Sequence, residues 1–131
     1  MRKVNKDLAS IIIVNYNNAQ YLSKSINSVL KQKYKYKEII VVDDKSNDNS
    51  IKILKRYEGK IKVIKNKKKT KTGSYNQINC YYLGFSKSKG KVIFFLDSDD
   101  YFSNRKISEV MNFFKKKKTS QILFDLPIII N

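Results

Sequence analysis

The chain has 131 residues, of which 41% are hydrophobic and 30% charged, which suits one globular domain and excludes wholesale disorder. One cysteine and no histidine exclude an internal disulfide, a Ser-His-Asp triad and a zinc site of soft ligands, so any metal must be bound by oxygen. The 28 basic residues outnumber the 11 acidic ones, and the resulting formal charge of +17 favours an anionic partner. Only three of the basic residues are arginines, which argues against a protein that recognises nucleic-acid bases.

The amino-terminal half of the chain predicts alternating strands and helices. A continuous β-branched run over residues 9–14 is typical of a strand buried on both faces of a parallel sheet. Apolar residues at helical spacing follow from Tyr21 to about Gln32, and a second buried strand is predicted over residues 38–42. Turn-forming residues then precede a short helix that Gly59 ends.

The carboxyl-terminal half continues the same alternation. Residues 61–64 predict a third strand, and apolar residues at i, i+3, i+4 and i+7 predict the next helix: Ile78, Tyr81, Tyr82 and Phe85. Residues 91–96 predict a fourth strand, and a helix capped by Ser103 carries Ile107, Val110, Met111 and Phe114 on one face. A fifth strand, interrupted by Pro127, is predicted over residues 121–130.

This alternation predicts an α/β fold with an open, mostly parallel sheet and flanking helices, formed by residues 1–131 as a single domain. Such sheets bind ligands where the carboxyl ends of their strands meet. The longest apolar runs are far shorter than the roughly 20 residues of a membrane-spanning helix, and no secretory leader is recognised. We therefore expect a cytoplasmic location, with any membrane contact peripheral and at the inner face.

Five of the acidic residues directly follow the second and fourth predicted strands: Asp43, Asp44, Asp97, Asp99 and Asp100. Each alone could be a turn or helix-capping residue, which is how we interpret Asp48 and Asp100. In a parallel sheet, however, the Asp43/Asp44 and Asp97/Asp99 pairs would share one crevice, where their mutual repulsion requires compensation. Mg²⁺ or Mn²⁺ prefers carboxylate oxygen and the phosphates of a substrate, so the pattern predicts a site for a metal-bound diphosphate.

Other phosphate-binding motifs are missing from the sequence. No GxGxxG follows the first predicted strand, where Asn15 and Tyr16 stand instead, and no GxxxxGK[ST] occurs in the chain. These observations argue against a nicotinamide cofactor and against P-loop chemistry.

Four segments resemble the amino-terminal half of family 2 glycosyltransferases, which have the GT-A fold. They occur in the family's order: SIIIVNYNNAQYL at 10–22, SINSVLKQKY at 25–34, EIIVVDDKSNDNS at 38–50 and GKVIFFLDSDDYF at 90–102. The last contains a DxD motif, and the resemblance covers about residues 10–111.

The resemblance implies a site for a nucleotide-diphospho-sugar, with a UDP-type donor favoured, and for Mn²⁺ or Mg²⁺. The sugar would pass with inversion to a saccharide or lipid-linked acceptor, in polysaccharide biosynthesis. Position by position, the resemblance implies that Asn15, Tyr16 and Asp44 border the nucleoside, and that Asp43 is a less direct partner of Asp44 in nucleotide binding. It assigns Asp97 to the ribose or the metal shell and Asp99 to the metal.

The chain also departs from the family's pattern. Tyr81 and Tyr82 stand where the family commonly has an Arg-Asn pair. Lys69 and Lys71 could supply positive charge instead, but we favour their interpretation as solvated loop lysines. The family's acceptor-binding half, which contains the general base, should follow the fifth strand. We therefore expect a truncated form whose catalytic base is unknown. Asp125 lies in an apolar run, which does not suit a general base. The alternative is a catalytically inactive α/β module that docks on an anionic membrane or polyanion through its basic surface.

Overall fold

A computed structural model describes residues 5–68 and 70–117, apart from the Lys6 side chain. Four strands alternate with four helices: β1 (Asn5–Asn15), α1 (Ala19–Leu30), β2 (Lys37–Asp43), α2 (Ser50–Lys55), β3 (Lys62–Lys65), α3 (Gly73–Lys87), β4 (Gly90–Asp97) and α4 (Lys106–Lys116). The predicted fifth strand, with Asp125 and Pro127, lies outside the described residues. Within the described ranges, no helix is both long and apolar enough to cross a bilayer.

The four strands form one open sheet in the order β3-β2-β1-β4. All three pairings are parallel, with Ile12 of β1 opposite Ile40 of β2 on one side and Phe95 of β4 on the other. The predicted parallel α/β fold is therefore confirmed. The carboxyl ends of all four strands lie at one edge of this sheet.

Helices cover both faces of the sheet and make β1 its most buried strand. Because side chains alternate along a strand, Ile11 and Ile13 pack with α1, α2 and α4, whereas Ile12 and Val14 pack toward α3 on the other face. The residues from Ala9 to Ile13 are fully buried. This two-sided burial explains why the sequence shows a continuous apolar run at this point instead of an alternating one.

Helix α3 forms as predicted, but the apolar spacing does not mark its buried side. Ile78 and Tyr82 are 67% and 68% exposed, whereas Asn76, Cys80 and Gly84 face the sheet. A Cβ atom at position 84 would collide with the Ile12 side chain and lie 3.2 Å from Val42, so the absence of a side chain there permits the close approach of helix and sheet.

Several element boundaries differ from those predicted. Helix α2 ends at Lys55 with Arg56 in the capping position, so the prediction that Gly59 ends this helix is wrong. Strand β1 begins at Asn5, four residues early, with an irregular register toward β4 before Ala9. Helix α4 begins at Lys106 with Arg105 in the capping position, so the prediction that Ser103 caps this helix is wrong. The Ser103 carbonyl instead accepts a hydrogen bond of 3.2 Å from the Lys106 amide, in the turn that precedes the helix.

Candidate functional site

A cleft of about 330 Å³ opens at the carboxyl edge of the sheet, between the ends of β1, β2 and β4 and the start of α3. Most of the residues that line it have polar side chains: Val14, Tyr16, Asn18, Asp44, Gly73, Asn76, Gln77, Asp97, Ser98 and Asp99. Asp44 and Asp99 are 55 positions apart in the chain, and the parallel topology brings both to this cleft. Of the six residues predicted to bind nucleotide or metal, four line it: Tyr16, Asp44, Asp97 and Asp99.

Three carboxylates cluster at the end of β4. One oxygen from each of Asp97, Asp99 and Asp100 lies within 4.8 Å of the others. Burial raises the pKa of Asp100, and the negative charges of Asp99 and Asp97 raise it further. Asp100 does close a turn, because its amide donates to the Asp97 carbonyl at 3.0 Å. The sequence-based interpretation of Asp100 as a turn residue missed its place in the carboxylate cluster.

The Asp97 carboxylate is held by two side chains from α3. The Tyr81 hydroxyl and the Gln77 amide, the latter at 2.9 Å, both donate hydrogen bonds to Oδ1. Burial raises the pKa of Tyr81, and the hydrogen bond and charge of Asp97 add to the shift, so this phenol stays protonated and donates at neutral pH. These two residues are four positions apart, which places them on one side of the helix.

Asp44 is held in a similar way by Asn66, which follows β3. The Asn66 amide donates to Asp44 Oδ1 at 2.8 Å, and the two residues are 3% and 5% exposed. The backbone amide of Asp44 donates to the Asn15 carbonyl at 2.8 Å. Cys80 lies beside this pair, and burial together with the negative charge of Asp44 raises the pKa of its thiol to about 12.

Asp43 and Asn15 lie beneath the cleft and are not among its lining residues. The Asp43 carboxylate accepts hydrogen bonds from the Asn15 amide at 2.9 Å, the Ser46 hydroxyl at 2.6 Å and the Ser46 backbone amide at 3.0 Å. Both residues are almost fully buried. Their observed contacts join the loop after β2 to the end of β1, and their predicted contact with a nucleoside stays a prediction.

Tyr16 and Asn18 lie at the rim of the cleft. Tyr16 is 48% exposed at the end of β1, where its ring is accessible to a planar ligand. Asn18 donates to the buried Ser98 hydroxyl at 3.0 Å, which ties the loop after β1 to the turn after β4. Of the tyrosine pair at positions 81 and 82, Tyr81 reaches the acids, while Tyr82 is exposed. Lys71 is exposed and Lys69 lies outside the described residues.

In the part of the chain that the structure describes, no ion pair joins a basic side chain to Asp97, Asp99 or Asp100. The ion pair found there joins Arg105 to Glu109 on the surface of α4, at 3.5 Å. The cleft therefore concentrates negative charge on a molecule whose remaining charge is strongly positive. Clustered carboxylate oxygens without a protein cation are the ligands that a hard divalent ion prefers.

The parallel sheet and the cleft at its carboxyl edge define an α/β fold of the kind that binds ligands at the strand ends. The family model for glycosyl transferase family 2 matches residues 10–130, and the chain belongs to this family. The family predicted from the four sequence segments is thereby confirmed.

Curated relatives and a solved structure support the same assignment. The poly(ribitol-phosphate) β-N-acetylglucosaminyltransferase TarP of Staphylococcus aureus is 34% identical over 118 residues, which are 87% of this chain and 35% of TarP. The UDP-Glc:α-D-GlcNAc-diphosphoundecaprenol β-1,3-glucosyltransferase WfaP of Escherichia coli is 37% identical over 113 residues, 86% of this chain and 43% of WfaP. The chain thus spans less than half the length of these relatives.

A crystal structure of residues 1–349 of S. aureus TarS in complex with UDP-GlcNAc superposes with a TM-score of 0.73 at 25% identity. The match covers 84% of this chain and 32% of that structure. The agreement confirms the predicted GT-A type of fold.

Proposed function

We propose that this chain is the nucleotide-sugar-binding part of an inverting family 2 glycosyltransferase, and that its cleft binds a UDP-sugar together with Mn²⁺ or Mg²⁺. The observation that carries the proposal is that Asp44 and Asp99, from the ends of different strands, line one cleft. The names of WfaP and of the TarS complex refer to UDP-linked sugars, which supports the choice of uridine diphosphate as the nucleotide.

The nucleoside would lie on the Asp44 side of the cleft. A buried carboxylate whose Oδ1 accepts from Asn66 is fixed in orientation, and it suits a polar edge of a base that donates a hydrogen bond. The exposed ring of Tyr16 at the rim offers a flat apolar surface against which a base can stack. Asn15 and Asp43 would contribute indirectly, because their hydrogen bonds fix the backbone beneath this position.

The diphosphate and metal would lie on the opposite side, at the acidic cluster. The donor set fits a divalent ion, because three carboxylates lie within 4.8 Å and the Asp100 pKa is raised by burial and by its acidic neighbours. Asp99 is exposed and would bind the metal directly, whereas Asp97, held at Oδ1 by Tyr81 and Gln77, presents its second oxygen to the metal or the ribose. When bound, the metal would neutralise charge developing on the leaving diphosphate.

Transfer of the sugar requires groups beyond this cleft. Inversion needs a base that deprotonates the acceptor hydroxyl, and none of the cleft residues is assigned that role. We propose that residues 1–131 supply the donor site of a longer catalytic unit, whose remaining part supplies the base and the acceptor site. A saccharide or lipid-linked acceptor is supported by the name of WfaP, which gives α-D-GlcNAc-diphosphoundecaprenol as the acceptor.

Calorimetric titration tests this function. UDP added to the chain with Mn²⁺ should release heat that disappears on chelation, and Asp99→Ala should abolish the metal-dependent part. Asp7→Ala is the matched control, because Asp7 is exposed and lies near the amino-terminal end of β1. Metal-dependent binding that Asp99→Ala leaves unchanged would remove the proposed metal site.

The uneven distribution of charge favours the second candidate function, an inactive module that docks on an anionic membrane or polyanion. Ten lysines and no acidic residue stand between Glu58 and Asp97. Docking of this kind should weaken steeply as salt is raised and should not respond to chelation or to Asp99→Ala. Salt dependence and metal dependence therefore separate the two functions.

A further inference from the structure

The outward side of α3 carries large apolar residues where a surface helix usually has polar ones. Tyr75, Ile78 and Tyr82 are 60%, 67% and 68% exposed, and we term these three residues the outer stripe. At about 100° per residue they fall within about 60° of arc, opposite the side on which Cys80 and Gly84 face the sheet. Contiguous exposed apolar residues of this kind mark an interaction surface.

The outer stripe lies in the most basic part of the sequence. Of the ten lysines between Glu58 and Asp97, seven precede α3 in the sequence, Lys87 is its last residue and two follow it. Helix α3 itself contains no acidic residue. An anionic partner would therefore be attracted to this side of the molecule regardless of the acidic cleft.

We propose that the outer stripe is a peripheral membrane contact that inserts shallowly into the surface of an anionic bilayer. Tyrosine suits this boundary, because its ring enters the apolar region while its hydroxyl stays hydrated. Flanking lysines attract anionic headgroups, and apolar area and charge together give stable adsorption where either alone is weak. A soluble polyanion would use the lysines and leave the stripe without a function.

The position of the stripe is compatible with use of the cleft. Gly73, Asn76 and Gln77, in the first turn and a half of α3, line the cleft, while Tyr75 and Ile78 project from the opposite side of the same turns. Membrane contact through the stripe thus leaves the cleft lining uncovered and holds it near the bilayer surface. The proposal concerns a different surface from the nucleotide site and does not depend on it.

Vesicle flotation with the 131-residue chain tests the contact. The chain should float with vesicles of phosphatidylcholine and phosphatidylglycerol and stay behind with phosphatidylcholine alone. The double variant Ile78→Asn/Tyr82→Ser should lower the bound fraction by about tenfold, since it removes two of the three apolar side chains. Both positions are highly exposed, so the variant should fold, which circular dichroism checks.

Two control variants separate the alternatives. Tyr36→Ser should float like the unaltered chain. Tyr36 is as exposed as the stripe residues, at 69%, but it directly precedes β2, at the amino-terminal ends of the strands, and is not part of the outer stripe. Asp99→Ala should also float normally, which keeps this result independent of the proposed metal site. Equal flotation of the double variant and the unaltered chain would overturn the proposal, as would a lack of anionic binding. Self-association that the double variant abolishes, without vesicle binding, would reassign the stripe to a protein interface.

Discussion

The Asn66 side-chain amide lies 2.8 Å from the Asp44 carboxylate, so a residue after β3 orients an acid after β2. Asn66 is itself fixed, because its backbone amide donates to the Asp43 carbonyl at 2.8 Å and its side-chain oxygen accepts from the Lys68 amide at 3.1 Å. The orientation of Asp44 is therefore set by the protein before any ligand arrives. Such preorganisation reduces the cost of binding.

Replacement of Asn66 by alanine should weaken both the fold and the nucleotide site. Loss of a buried donor to a carboxylate costs about 1–3 kcal/mol in the free energy of unfolding. UDP affinity should fall as well, since Asp44 loses the hydrogen bond that orients it. Urea unfolding and calorimetry measure the two effects. Asn112→Ala, on the exposed surface of α4, should change neither, and an Asn66→Ala variant with unchanged UDP affinity would show that this hydrogen bond does not serve binding.

Tyr81 should make the stability of the fold sensitive to alkaline pH. Burial and the Asp97 carboxylate raise the pKa of Tyr81 in the folded state above its ordinary value near 10, so the folded protein holds this proton more tightly than the unfolded chain. The resulting stabilisation is complete below about pH 10 and is lost as the pH rises toward the folded-state pKa. The free energy of unfolding should therefore decline above about pH 10.

Tyr81→Phe separates this effect from other alkaline titrations. The variant cannot ionise at position 81, so its stability should fall less steeply above about pH 10 than that of the unaltered chain. Cys80, whose pKa is also raised, is present in both proteins and cancels from the comparison. Parallel urea-unfolding curves across the alkaline range would show that the Tyr81–Asp97 hydrogen bond contributes no pH-dependent stability.

Gly84 and Gly73 form a matched pair that tests the packing of α3. Alanine at position 84 would place a Cβ atom against the Ile12 side chain and 3.2 Å from Val42, which should cost about 1–3 kcal/mol in the free energy of unfolding. Alanine at position 73 meets no atom within 4 Å and should leave stability nearly unchanged. Urea denaturation measures both. If the two variants unfold alike, the helix does not approach the sheet as closely as described.

Much of this fold could be predicted because the two central strands, β1 and β2, are buried on both faces. The run Ile11–Ile13 contains no polar residue, which is typical of a strand buried on both faces. Strands that alternate with helices along the chain are expected to pair in parallel, as β1 and β2 do. The convergence of Asp44, Asp97 and Asp99 on one edge followed from that topology alone.

The residues that orient these acids could not be predicted in the same way. Gln77 and Tyr81 reach Asp97 because α3 packs on the sheet through Cys80 and Gly84. Apolar spacing grouped Tyr81 with the exposed Ile78 and Tyr82 and did not include Gln77. Asn66 looked like one more polar residue in a lysine-rich loop. Its role depends on the adjacency of β2 and β3, which places the ends of the two strands side by side.

A crystal of the chain soaked with UDP and Mn²⁺ would show whether acids from two strand ends bind one nucleotide and one cation. We predict one anomalous manganese peak at the Asp97–Asp99–Asp100 cluster and continuous ligand density that places the uracil beside Asp44. A manganese peak at another surface, or UDP bound away from Asp44, would contradict the account.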